Sequence, residues 1–422
     1  MINSLRLQGF KSFRDATLTL GPLTVIVGTN ASGKSNLRDA FRFLHGIARY
    51  YSLSDIVGEK YEEGALQWKG IRGGYREIAS FGETSFSLES VFPWCGTNQS
   101  VAERFRHRIV VEVTRKHRPL RVIAESFYCD DKMIYDSHPG NDPPTQEGPE
   151  YLMVRLGKMK AHGGRRSKMR FLSDQPALTQ YTSTKIGDST SKLFAWTVLD
   201  DMRSMRFLDL SPAAMRLPSV PGQSLGDRGE NMSSVLQAIC EDEIRKRAMI
   251  EWLRQLTPLD VVDFFFFEDL TGEVLVSLVE KNGQKTSAYS ASDGTLRFLA
   301  IMAALMGPDA AQFYFLEEID NGIHPTRLSL LLQLIEQQAK QSKVQVVTTT
   351  HSPQLLAMLS PEAREHAYLA YRFEDETESH LQRILDIPTA REVLEKQNLA
   401  RLHESGWLEN VVAFARKESA DA

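Results

Sequence analysis

The eight residues Gly28-Thr29-Asn30-Ala31-Ser32-Gly33-Lys34-Ser35 constrain this chain more than any other stretch. They match GxxxxGK[ST], and their flanks are the ones the motif requires. The β-branched run Leu23 to Val27 precedes it, and Leu37, Phe41, Leu44, Ala48 and Tyr51 follow at helical spacing. Small residues let the backbone curl until successive N–H groups and a helix N-terminus converge on a phosphate. Lys34 then adds a cation for the β and γ groups, and Ser35 a hydroxyl for Mg²⁺. A strand feeding a helix through such a turn belongs to an α/β sheet, and the expected ligand is ATP.

Two further elements fit the same sheet. Phe313-Tyr314-Phe315-Leu316 is a short apolar strand that ends in Glu317-Glu318. In such a position the first carboxylate helps hold Mg²⁺ and the second orients or deprotonates the water that attacks the γ-phosphate. Val344 to Thr350 is another buried-strand pattern, and His351 follows it directly. A side chain at the C-terminal end of a parallel strand lies where ligands bind in open α/β sheets, so His351 is placed to hydrogen-bond the γ-phosphate. Just before the acidic strand, Ala291-Ser292-Asp293-Gly294-Thr295 is a small-residue turn that opens the helix Leu296 to Leu305. Ser292 and Gly294 there are candidates for a second phosphate-binding helix N-terminus, serving a nucleotide held by another subunit.

These elements sit at opposite ends of 422 residues, which gives the domain plan. Residues 1–85 read as the N-terminal lobe of an ATPase core and 257–390 as its C-terminal lobe. Between them, 86–256 reads as an inserted β-rich and helical lobe, and 391–422 as a helical tail through Trp407. Alternating stretches such as Arg108 to Val113 and Leu120 to Phe127 supply strands for the insertion, and Met232 to Leu256 one amphipathic helical segment. Ala367 to Phe373 and Leu381 to Ile387 suggest a hairpin. No heptad pattern persists, so a long coiled-coil arm is not expected.

Composition sets the setting. With 42% hydrophobic and 25% charged residues the chain can bury a large core, which excludes a disordered or fibrous reading. The three cysteines Cys95, Cys129 and Cys240 form no CxxC pair, and the N-terminus lacks the plan of a signal peptide. The greasy run Phe298 to Leu316 is interrupted at Gly307-Pro308-Asp309, so no membrane span is expected. A cytoplasmic location follows as the expectation.

Taken in order, these motifs resemble the ABC-type ATPases of the RecF, SMC and OLD group, in the branch of predicted ATPases without a Toprim domain. SDGTLRFLA, FLEEIDNGIHP and TTHSP in the C-terminal half carry the likeness, with Leu7-Gln8-Gly9-Phe10-Lys11-Ser12-Phe13 at the start. The resemblance covers about residues 1 to 50 and 255 to 355. It implies a P-loop ABC-type head, split by a mixed insertion. It also implies that Asn30, Ala31, Ser32, Gly33, Lys34, Ser35 and Asn36 wrap the phosphates. Ser35 and Glu317 would then serve the metal, Glu318 and His351 catalysis, and Ser292 and Gly294 the signature that closes over a partner's ATP. His324 falls where many relatives carry an aspartate. Glu317 replaces the usual Asp, Asp293 replaces the signature's first glycine, and Arg72-Gly73-Gly74 is a candidate for the unassigned sensor loop.

The resemblance further implies two heads in a head-to-tail sandwich around ATP and Mg²⁺, opened and closed as a conformational switch. The expected setting is a DNA-linked or anti-phage defence system, with a separate effector protein, a nuclease, as partner. A repair ATPase that clamps DNA directly is the alternative, and a transporter subunit a weaker third. For DNA, two basic stretches stand out: Arg104, Arg106, Arg108, Arg115, Lys116, Arg118 and Arg121, and Arg155, Lys158, Lys160, Arg165, Arg166, Lys168 and Arg170. The net charge of −4 leaves such local patches possible without a global field.

Overall fold

The computed structural model describes residues 1–95, 102–113, 120–138, 149–157, 167–257, 259–342, 344–373 and 376–387. The expected helical tail 391–422 therefore lies outside the described residues, as do Arg115, Lys116, Arg118, Lys158, Lys160, Arg165 and Arg166.

A six-stranded sheet carries the motifs. Its spatial order is Met205–Leu208, Phe313–Leu316, Gln345–Thr350, Leu23–Val27, Ala367–Arg372 and Ser379–Arg383. The first five strands run parallel and the last pairs antiparallel at the edge. Leu23–Val27, Phe313–Leu316 and Gln345–Thr350 are buried at every position. Strands that are apolar on both faces need cover on both, and alternate residues divide accordingly. Ile26, Phe313, Phe315 and Val347 pack with Phe41 and Leu44 of the helix Lys34–Ala48. Leu23, Val25, Tyr314, Leu316 and Val346 pack on the other side with Leu299 and Leu331 from the helices Asp293–Met306 and Pro325–Ser342.

A second sheet of eight strands is antiparallel throughout and starts from the N-terminal hairpin Ser4–Phe10 and Phe13–Thr19. Ser4–Phe10 pairs with Ser85–Cys95, Leu7 opposite Leu88, and the sheet continues through Ala102–Glu112, Arg121–Cys129, Lys132–Asp136 and Tyr151–Leu156 to Lys168–Leu172.

The expected inserted lobe 86–256 is therefore not one unit. Its strands extend a sheet that the first ten residues begin, because the free edge of Ser4–Phe10 is completed by Ser85–Cys95. Met205–Leu208, in the same interval, instead extends the nucleotide sheet beside Phe313–Leu316. The expected single helix Met232 to Leu256 is two, Met232–Cys240 and Glu243–Leu256. Asp242 caps the second by accepting from the backbone N–H groups of Ile244 and Arg245. Both helices contribute to the core on the side of the sheet covered by the helix Asp293–Met306. The expected hairpin near the C-terminus forms, with Ala367–Arg372 against Ser379–Arg383. No described helix is long and apolar enough to cross a membrane.

Candidate nucleotide site

The loop after Leu23–Val27 is fixed by backbone demands. The N–H of Gly28 donates to the carbonyl of Thr350 at 3.2 Å, tying the loop to the neighbouring strand. A Cβ on Gly28 would lie 2.3 Å from the carbonyl oxygen of Ala370, and Gly33 adopts φ +100°, so neither position accepts a larger residue without strain. Ala31 holds the left-handed conformation at φ 62° without being glycine. Thr29, Asn30 and Ala31 are exposed and Ser32 is buried. Ser32 Oγ has no hydrogen-bond partner among the described residues, which suits a cradle whose hydroxyls and N–H groups are to meet phosphate oxygens.

Lys34 opens the helix and is almost fully buried. Its ammonium donates to the carbonyls of Gly28 and Thr29 at 2.6 and 2.8 Å. Burial pushes its pKa down to about 8, against the pull of Glu318, Asp320 and Glu317. The ammonium also lies 3.2 Å from His351 Nδ1, while His351 Nε2 lies 3.1 Å from Glu318 Oε1. A carboxylate only accepts and an ammonium only donates, so His351 carries its proton on Nε2. The result is a directed chain from Lys34 through His351 to Glu318.

Glu318 sits just past its strand with φ 51°, a left-handed turn that lifts its side chain out of the strand register. Its N–H donates to Thr349 Oγ1 at 3.1 Å, so the adjacent strand sets the angle. Glu317 is partly buried and its Oε2 accepts from Arg38 Nη1. Arg38 stands three residues beyond Ser35 and four beyond Lys34, on the same helix face.

These groups share one cavity of about 260 Å³. It is lined by Asn30, Ala31, Ser32, Gly33, Lys34, Ser35 and Asn36 from the loop, by Glu317, Glu318, Thr349 and His351 from the strand ends, and by Arg72. Arg72 is held there by Asp39, which is buried and also 3.1 Å from the Lys11 ammonium. Of the Arg72-Gly73-Gly74 loop, Arg72 thus reaches the cavity. A hydroxyl from Ser35 and a carboxylate from Glu317 on one cavity fit Mg²⁺, which takes one or two protein oxygens and fills its shell with phosphate and water.

Ser292 and Gly294 are not among the residues lining that cavity. Ser292 caps the helix Asp293–Met306 by accepting from Thr295 N–H at 3.2 Å, and both Ser292 and Asp293 are exposed. Asp293 pairs with Arg216 at 2.6 Å. A Cβ on Gly294 would lie 2.8 Å from the carbonyl of Gly322, so this glycine lets the turn at Ser292 to Gly294 touch the loop that follows Glu318. His324 lies farther along that loop, exposed and bonded to Thr326 Oγ1 at 2.9 Å. Arg38 and Thr349 escape the motif reading. Neither leaves a local signal: Arg38 meets Glu317, and Thr349 meets the Glu318 N–H, only once the distant segments come together.

Two family models match the chain. Residues 170–357 match the family described as "AAA domain, putative AbiEii toxin, Type IV TA system", and residues 1–70 match an AAA ATPase domain family. An "ATP/GTP phosphatase" from Helicobacter pylori is 21% identical over 371 residues, 86% of this chain and 89% of that protein. A "Chromosome partition protein Smc" from Desulfitobacterium hafniense is 38% identical over 91 residues, 21% of this chain, and the match spans only 7% of that protein's length. Among solved structures, an Smc head bound to the C-terminal winged-helix domain of ScpA superposes with a TM-score of 0.47 at 14% identity, covering 90% of this chain and 97% of that one. With ATPase family models matched over residues 1–70 and 170–357 and one relative aligned along most of its length, the chain is similar to ATPases of this kind along most of its sequence.

Proposed function

We propose that this chain is an ATP-driven switch in which two copies close head-to-tail, each holding ATP between its own loop and the other's signature turn. One observation carries the reading. Lys34, Glu318 and His351 form one hydrogen-bonded chain in the cavity, while Ser292 and Asp293 stand exposed outside it. A turn of that chemistry, open to solvent, is free to meet a nucleotide on a second copy.

When ATP enters, the Lys34 ammonium exchanges the Gly28 and Thr29 carbonyls for the β and γ phosphates. Its departure frees His351 Nδ1, and His351 can turn toward the γ-phosphate. Glu318 then has an open oxygen for the attacking water, whose proton it accepts. Mg²⁺, held through Ser35 and Glu317, would neutralise charge on the phosphate oxygens. Closing and reopening the pair passes the state of the nucleotide to a separate effector protein. The toxin–antitoxin wording of the matched family supports a defence setting, in which that effector is a nuclease.

A second reading, in which the chain grips DNA, is favoured by the solvent face of the eight-stranded sheet. Arg104, Arg106 and Arg108 alternate outward there, with Lys168 and Arg170 exposed on the last strand. Arg108 stands opposite Glu89, so the strip is not uniformly basic.

The test is the Glu318→Gln variant with ATP and Mg²⁺, weighed in solution and titrated with duplex and single-stranded DNA. Dimers that persist only with ATP support the switch. A monomer under all conditions removes the sandwich, and DNA affinity that appears only with ATP moves the assignment to the clamp. Lys34→Ala should lose ATP turnover entirely; turnover at the wild-type rate would mean the loop is not the nucleotide site.

A further inference from the structure

The helix that opens at Lys34 aims a second cation at the acidic strand end. Arg38 Nη1 donates to Glu317 Oε2, with the two side chains only 15% and 18% exposed. The hold is through one nitrogen, where a guanidinium can offer a two-pronged fork, and Arg38 Nε is buried without a partner among the described residues. Glu317 is also the carboxylate that faces the metal in the function proposed above, on which this inference rests. The guanidinium occupies Oε2, and its positive charge weakens the pull of the whole carboxylate on a second cation.

We propose that Arg38 is a displaceable counter-ion for Glu317, holding that carboxylate neutralised until nucleotide and metal arrive together and then surrendering it. Three acidic side chains, Glu317, Glu318 and Asp320, act on Lys34, and the first two line the cavity. Left unpaired, they repel a polyphosphate and attract a bare cation. With Arg38 on Glu317 both tendencies fall: free nucleotide is tolerated and free metal is refused. Nucleotide reverses the balance, since its phosphates give the metal the ligands that one carboxylate and one hydroxyl cannot supply. They also give Arg38 a new anion. The next turn of the helix carries Arg42, a like charge packed over Trp68 at 4.6 Å, which disfavours retreat of Arg38 along its own helix. The longer arm of glutamate matters here, since the extra methylene in place of the usual aspartate extends the carboxylate toward Arg38.

The experiment uses the full chain, fluorescent ATP in EDTA and in Mg²⁺, and Mn²⁺ alone followed by electron paramagnetic resonance. In Arg38→Leu, metal-free ATP affinity should weaken at least about tenfold and nucleotide-free Mn²⁺ binding should tighten by a similar factor, the scale of one lost charge-assisted hydrogen bond. ATP affinity in Mg²⁺ should change far less. Equal losses in EDTA and Mg²⁺ would make Arg38 a plain phosphate contact and overturn the proposal, as would unchanged Mn²⁺ binding. Should leucine prevent folding, Glu317→Gln carries the test: it should bind metal-free ATP at least as tightly as wild type, and weaker binding overturns the proposal. Lys34→Ala separates the two levels of failure. If it keeps ATP in both conditions, the nucleotide site itself is wrongly assigned.

Discussion

Lys34 is the residue on which the site's electrostatics turn. Burial brings its pKa down to about 8 from the usual 10.5, while three nearby acids resist the shift. Below pH 8 the ammonium is present and can meet phosphate; above it the folded, nucleotide-free chain has already given the proton up. ATP affinity should therefore hold up to about pH 8 and then fall by as much as about tenfold per pH unit, with proton uptake on binding. Lys34→Arg should flatten that fall, since a guanidinium stays charged throughout. Titrations of labelled ATP from pH 7 to 9.5 check both, and a flat wild-type profile would refute the claim. The sign for stability is separate: the unfolded chain keeps this proton up to 10.5, so between pH 8 and 10.5 the contribution of Lys34 to folding grows with pH. Lys34, Glu317, Glu318 and His351 were all readable from the sequence, because each sits at a strand or helix end that local patterning locates. Arg38 was not, because its role depends on Glu317, which is distant in the chain and adjacent only once the strands align.

At the level of elements, buried polar anchoring joins the eight-stranded sheet to the helices behind it. Glu125, on Arg121–Cys129, accepts from His107 Nε2 at 2.9 Å and Tyr135 hydroxyl at 2.8 Å. It also accepts from the backbone N–H groups of Ala177 and Leu178, at 2.6 and 2.8 Å, at the start of the helix Ala177–Ser183. All of this is buried. Glu125→Ala leaves four donors without an acceptor, and the expected loss of stability is about 3 kcal/mol or more. Urea unfolding with two structural probes measures it, and a loss below about 1 kcal/mol would mean water replaces the carboxylate. Such anchors are invisible in sequence, where Glu125 looks like any charged residue in an alternating strand. Strand identity followed the same division. Phe313–Leu316 is four apolar residues and was legible, whereas Met205–Leu208 carries Arg206 at its centre and is a strand only because Phe313–Leu316 lies beside it. Of the antiparallel strands between 85 and 172, the alternation at Arg108 to Val113 and Leu120 to Phe127 was legible, but nothing local revealed that these strands continue the N-terminal hairpin.

For the whole molecule, the separation of Ser292 from the cavity has a consequence that single-chain measurements cannot mimic. If each composite site takes its loop from one copy and its signature from the other, a Lys34→Ala chain still offers a sound signature, and a Ser292→Arg chain still offers a sound loop. Neither variant alone can build a working site, since every pairing joins a sound half to a damaged one. Mixed in equal amounts before ATP is added, half of the dimers combine the two variants, and each of those contains one site with both halves intact. Turnover should then recover to about a quarter of the wild-type value if the two sites act independently. Ser292 is exposed at a helix N-terminus, so arginine there costs a cap of about 1 kcal/mol and leaves the fold in place. Recovery well above a quarter would mean that one occupied site drives the other, a coupling between the halves. No recovery, with both variants folded and mixing confirmed by mass, would place the signature's action within its own chain and dissolve the head-to-tail arrangement.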